Sequence, residues 1–250
     1  MRAYINGIGN ISPQKTLDND QFLQEVINNE GKNLVCVEPD YKNFIGRKYL
    51  RRMSRAIKMG VSAAKICLGE AEMEKPDAII VGTGLGCVED TERFLTAIYE
   101  SNEEILSPTQ FIQSTHNTLA SQIAIMLGCD NYNFTYVHRG FSFESALLDA
   151  LMQIDDEKTA QNILVGGADE STESYLTITR RLRQWKPESF AQLDLLKDHF
   201  HGSLPGEGAA FFMLGDQPSS KTYAQICGVK MVYKPDSEEV IENELKVLLE

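Results

Sequence analysis

The stretch "YVHRGFSFESALLDALMQI", residues 136–154, reads as the end of a strand that stops at a glycine and hands over to an amphipathic helix. After Ser142, the residues Ala146, Leu147, Ala150, Leu151 and Ile154 share one face, the three-to-four spacing of a helix laid against a core. Ser142 stands where a hydroxyl caps such a helix. A strand-to-helix turn is also where many acyl-transfer enzymes hold a nucleophile, because the helix N-terminus stabilises negative charge. Here the junction residue is Gly140.

Outward from this junction, strand-like runs recur. They are "RAYINGIG" at 2–9, "DAIIVGTG" at 77–84, "NFTYVH" at 133–138, "NILVGGA" at 162–168, "GAAFFML" at 208–214 and "YAQICGVKMVY" at 223–233. Three are near-continuous apolar runs, as strands covered on both faces require. Helical spacing fills the intervals. Leu50, Met53, Ile57, Val61, Ala64 and Cys67 predict one long helix between 43 and 72,. "SPTQ" at 107–110 places Ser at an N-cap and Pro at the first helical position,. Asn117 can cap the next segment, and Ile241, Leu245 and Leu248 align in an acidic-start helix at the tail. Strands alternating with helices predict an α/β layered fold. No repeat or linker divides the chain, so residues 1–250 are expected to form a single domain.

Composition bounds the function. A net charge of −12 argues against a nucleic-acid groove or an anionic membrane surface as the main partner,. The cluster Arg47, Lys48, Arg51, Arg52, Arg55 and Lys58 reads first as a solvated helix face,. Five cysteines, at 36, 67, 87, 129 and 227, show no metal-ligand spacing and are odd in number. They read as reduced thiols of a cytoplasmic protein. The start "MRAYINGIGN" has no basic segment followed by an apolar one, and no apolar run reaches membrane-spanning length,.

The glycine motifs have structural readings. "GTGLGC" at 82–87 follows a strand but misses the dinucleotide spacing, since Cys87 takes its sixth position,. "GGADES" at 166–171 offers Asp169 or Ser171 as a helix cap,. "HFH" at 199–201 lacks a third ligand nearby and reads as a loop, so no metal is expected,. No GxSxG elbow occurs,.

In order, "YLRRMSRAIKMGVSAAKICL", "IIVGTGLGC", "SPTQFIQSTHNTLASQIAIMLG", the strand-turn-helix at 133–154, "ILVGGADES" and "HGSLPGEGAAFFML" resemble the N-terminal half of a β-ketoacyl synthase, strongest over residues 1–233. The resemblance implies a thiolase-like half-fold, with a five-stranded mixed sheet flanked by helices. It places the family's nucleophilic cysteine at Gly140, flanked by Arg139 and Phe141. Blocks like "HGTGT" and "NSFGFGG", which carry the family's two histidines, do not occur in these residues.

The resemblance therefore implies a non-catalytic subunit of chain-length-factor type, without a cofactor. It would pair with an active β-ketoacyl synthase in a heterodimer, or with itself, in fatty acid, polyketide or aryl-polyene type chain extension on an acyl carrier protein. Phe111, Ile112, Gln113, His116, Thr135, Val137, His138 and Phe141 are the residues it implies for the pocket boundary or partner interface. Two rivals stand beside it. One is an acyltransferase or thioester hydrolase using Ser142 or Cys87 with His138; the other is a module binding acyl carrier protein or CoA through the basic face at 47–58.

Overall fold

The computed structural model describes residues 2–17, 24–104, 106–156, 160–186, 190–191 and 203–249. The strands are β1 (Ala3–Ile11), β2 (Glu30–Gly31), β3 (Ala78–Gly82), β4 (Tyr132–Tyr136), β5 (Asn162–Asp169), β6 (Phe190–Ala191), β7 (Gly208–Gly215) and β8 (Ala224–Ile226). The helices are α1 (Arg47–Leu50), α2 (Arg55–Glu70), α3 (Val88–Glu100), α4 (Pro108–Ser114), α5 (Thr118–Leu127), α6 (Ser142–Asp155), α7 (Glu173–Arg181) and α8 (Glu238–Leu249).

Six strands form the main sheet, in the order β4-β3-β5-β7-β1-β8, while β2 and β6 pair separately. This is one strand more than the five expected. β3 runs parallel to β4 and β5, and the other pairings are antiparallel, so the sheet is mixed. β3 is buried along its whole length, as its continuous apolar run requires. On one face, Val81, Leu164, Phe211 and Met213 pack with Ile57, Met59, Ala63, Leu119 and Ile123 of α2 and α5. On the other, Ala78, Ile80, Ile163, Val165 and Leu214 meet Ala146, Ala150, Leu151 and Ile154 of α6. β1 lies so close to α2 that a Cβ on Gly9 would sit 1.9 Å from the Ala63 carbonyl oxygen.

Two sequence expectations change. The helix expected over 43–72 is broken: α1 ends at Leu50, and α2 begins at Arg55 after Ser54 adopts an extended conformation (φ −67°, ψ 172°). The strand expected over 223–233 is ordered into the sheet for three residues, because β1 offers it partners only at Ala3, Tyr4 and Ile5. No described helix is long and apolar enough to cross a membrane.

Candidate active site at the β4–α6 junction

β4 ends at Tyr136, and Arg139–Phe141 form a single 3-10 turn that leads into α6. Ser142 is the first residue of α6 rather than its cap; the cap position is Phe141, which makes no side-chain bond, and Ser142 instead braces the turn before the helix. Its Oγ accepts the N–H of His138 at 2.8 Å and donates to the Arg139 carbonyl at 2.8 Å. The left-handed residue is Arg139 (φ 49°), next to the glycine rather than on it. An arginine held there is strained, and such strain gathers at functional turns. β3 holds the turn down from below: a Cβ on Gly82 would stand 2.5 Å from the Ser142 carbonyl carbon and oxygen.

Gly140 faces open space, with no atom within 4 Å of a Cβ built on it. It lines a cavity of about 620 Å³ over the ends of β3 and β5, together with Gly82, Gly84, Arg139, Ser142, Phe143, Asp169, Glu207 and Phe212. That volume suits a small organic ligand. The lining carries no cysteine, so nothing there supplies a thiolate.

The glycine loop beside the cavity is occupied from within. Asp169 accepts the N–H groups of Gly84 and Leu85 at 3.0 Å and the Thr83 hydroxyl at 2.7 Å. Such successive N–H groups form an anion nest, and here an internal carboxylate fills it. Asp169 therefore does not cap α7; Thr172 does, accepting the Tyr175 N–H at 3.2 Å, and Ser171 is not the cap either. Ser107 and Asn117 make no side-chain cap bond at the starts of α4 and α5, contrary to the sequence expectation.

Two buried carboxylates hold the elements around the cavity, and Glu207 also lines it. Glu170 accepts the N–H of Ala56 at the start of α2 at 2.9 Å and that of Glu89 at the start of α3 at 3.0 Å, so one side chain caps two helices. Burial pushes its carboxyl up to about 7, against the opposing pull of those two N–H groups. Glu207 is clamped by both terminal nitrogens of Arg55, which also reaches Glu38, and it accepts the Cys36 N–H at 3.0 Å. Arg55 thus turns inward, away from the solvated face assigned to its cluster. Sequence reasoning missed Glu170 and Glu207. The available signal was an acidic residue following the buried "GGA" strand, and a second one between glycines in "PGEG".

The other thiols are closed off. Cys36, Cys67, Cys87 and Cys129 are buried and unpaired, and Cys227 is exposed. Burial, with Glu170 and Asp90 nearby, pushes the Cys87 thiol up to about 12. Among the described residues no three His, Cys, Asp or Glu side chains converge as a metal site; His199 and His201 lie outside the described residues.

Of the residues implied for the pocket or interface, none lines the cavity. Phe111 and Ile112 stand exposed on α4, and Phe111 lies 5.5 Å from the Phe94 ring. Gln113 donates through Nε2 to the Arg52 carbonyl, and His116 sits against Gly86. Thr135 is half-buried, Val137 is exposed, and His138 and Phe141 have ring centres 6.1 Å apart at the turn. Phe141 also meets Tyr233 edge-on at 6.0 Å.

The family model for the beta-ketoacyl synthase N-terminal domain matches residues 39–193. No curated protein sequence matches the chain. Among solved structures the chain is similar to a ketosynthase in complex with its chain length factor from Xenorhabdus doucetiae, at 16% identity and TM-score 0.61, covering 87% of this chain and 80% of that one. It is also similar to the ishigamide ketosynthase/chain length factor, at 19% and 0.62, covering 86% of this chain and 58% of that one. A third is a type II polyketide acyl-carrier protein in complex with its ketosynthase bound to the hexaketide, at 17% and 0.62, covering 86% and 62%. The chain thus spans about three fifths of the length of the last two. The shared fold is the thiolase-like one of ketosynthases.

Proposed function

The chain belongs to the β-ketoacyl synthase family through its N-terminal domain, and from that premise we propose that it is a non-catalytic, chain-length-factor-like subunit. It pairs with an active ketosynthase that extends acyl chains on an acyl carrier protein. The observation that carries this reading is Gly140, which faces open space in the cavity with no side chain to acylate. Removing the nucleophile abolishes the covalent step itself.

The rival nucleophiles are poorly placed to replace it. Ser142 is buried, with its hydroxyl engaged by His138 and Arg139. Cys87 is buried and its thiol is held protonated. The pairing is supported by β4, which stands at the edge of the sheet with one neighbour. Its aromatic residues form a row, with Tyr132 and Phe134 at 6.1 Å and Phe134 and Tyr136 at 5.0 Å. An open strand edge flanked by apolar surface is a template for pairing with another chain.

The test uses the full chain carrying Cys227→Ser, since Cys227 is exposed and would react on its own account. After incubation with an activated acyl thioester, intact mass is expected to stay unchanged, and a malonyl thioester is expected to release no carbon dioxide. An adduct mapped to Ser142 or Cys87 would overturn the non-catalytic reading. Co-expression with an active ketosynthase is expected to yield a one-to-one complex.

A further inference from the structure

α3 is fastened to the molecule at its head. Of its residues only Asp90 is buried, whereas ten residues of α2 are. Its main helix neighbour is α4, against which Phe94 sets its ring 5.5 Å from that of Phe111. Thr91 adds a bond to α4, donating to the Ser114 carbonyl at 3.3 Å, and Glu92 accepts the Thr172 hydroxyl. The tie to the core is Glu170, whose two carboxyl oxygens take the Glu89 N–H of α3 and the Ala56 N–H of α2 separately. Gly86, just ahead of the helix, has φ 69°, a backbone region open to glycine, so the chain can turn there,.

Glu170 is 2% exposed and has no ion pair among the described residues. The groups that face it share its sign. From α3 come Glu89, Asp90 and the Cys87 thiol, and Asp90 is itself 4% exposed, with one carboxyl oxygen buried and without a hydrogen-bond partner. Asp169 precedes it in the chain, and Glu207 accepts the N–H of Ser171, which follows it, at 3.3 Å. The cations of the two helices are engaged with other carboxylates: Arg55 with Glu207 and Glu38, Arg93 with Glu89, while Lys58 and Arg93 attract Asp90. An ionised Glu170 is therefore a second buried charge beside Asp90 with no cation against it, which is costly.

We propose that Glu170 is a proton-operated latch: protonated, it seats the head of α3 beside that of α2, and when it ionises the α3–α4 pair loosens from the core. Burial holds the closed carboxyl near 7 against an ordinary 4.5. Opening the head of α3 lets water reach the ionised group and returns it to ordinary acidity. The closed arrangement thus loses ground as the pH rises from 4.5 to about 7, and no further above that,. α3 yields rather than α2, because the buried face of α2 ties it into the core and α3 buries Asp90 alone,. The latch belongs to the fold of this chain and does not rest on the pairing with a ketosynthase.

Hydrogen exchange of the full chain, read by mass spectrometry at pH 5 and pH 8 with times scaled for intrinsic exchange, tests it. Amides of α3 are expected to be less protected than those of α6, and their protection should fall at least tenfold from pH 5 to pH 8. Glu170→Gln, a neutral side chain of the same shape, should keep α3 as protected at pH 8 as it is at pH 5, with circular dichroism verifying the fold. Should that variant not fold, the wild type still decides: α3 protection that is the same at both pH values would overturn the latch. An equal fall in Glu170→Gln would overturn it too. So would α3 amides that exchange no faster than those of α6, since only whole-molecule unfolding would then respond to pH.

Discussion

Arg139 takes the left-handed conformation at the turn and leaves Gly140 with an ordinary backbone and free space above it. Gly140→Cys is therefore expected to fold normally and to present a thiol at the N-terminus of α6, where the helix lowers its pKa. Alkylation by iodoacetamide, read by intact mass under native conditions, should label the wild type once, at Cys227, and the variant twice. The variant's second label should persist at a pH where Cys87, pushed up to about 12, is silent. Glu170 offers a second readout. Its carboxyl stands near 7 against an ordinary value of 4.5, so the fold favours the protonated form. Its contribution is full below 4.5 and is lost as the pH rises through about 7, a change of roughly 3 kcal/mol,. Glu89 and Asp90 add to it by repelling the charged form. Urea denaturation at pH 5 and pH 8 should show that slope in the wild type and a flatter one in Glu170→Gln.

The elements around the junction are fitted by backbone contact. β3 reaches the first turn of α6 through Gly82, whose Cβ would collide with backbone at 2.5 Å, and backbone cannot swing aside as a side-chain tip can. Gly82→Ala is expected to cost about 1–3 kcal/mol by overpacking. A fall in the denaturation midpoint, with the slope unchanged, would measure it. β4 separates two substitutions that the sequence alone treats alike. The hydroxyl of Thr135 is enclosed by the chain itself and has no hydrogen-bond partner. Val137 stands 46% exposed just past the strand. Thr135→Asp should therefore destabilise the isolated chain by burying a charge. Val137→Asp should leave that stability within about 0.5 kcal/mol and act only on association with the ketosynthase, which pull-down against wild type would show.

Taken whole, the sheet ends on one side in the three-residue β8 and on the other in the five-residue β4, each with a single strand neighbour among the described residues. Under the proposed pairing, the β4 edge, with Phe134, Val137, Ile125 and Met152 exposed, would serve as an obligate-type surface,. Its partner interface is expected to bury on the order of 2,000 Å² or more. Light scattering of the complex with a ketosynthase should give a heterodimer or a multiple of one. A monodisperse wild-type monomer at micromolar concentration, unchanged by adding a ketosynthase, would contradict the pairing.

Much of this was legible along the chain, because a period of two or of three to four is written by neighbouring residues. The runs at 77–84 and 162–168, the apolar face of α6 and the glycine at its head all follow from local pattern, and so does the family resemblance. The break between α1 and α2 was not legible. The periodicity runs through it, and what starts α2 afresh includes the Glu170 carboxylate, 114 positions away from the Ala56 N–H it accepts. In the same way, Arg55 belongs by pattern to a solvated face and is drawn inward by Glu207, 152 positions away. The glycine loop could have received an external anion until β5 brought Asp169 to it. Caps and buried ion pairs between distant residues cost chain entropy to assemble, and they form only once the sheet has closed the loops between them. Periodicity thus determined the layers, and tertiary closure determined which charges the layers enclose.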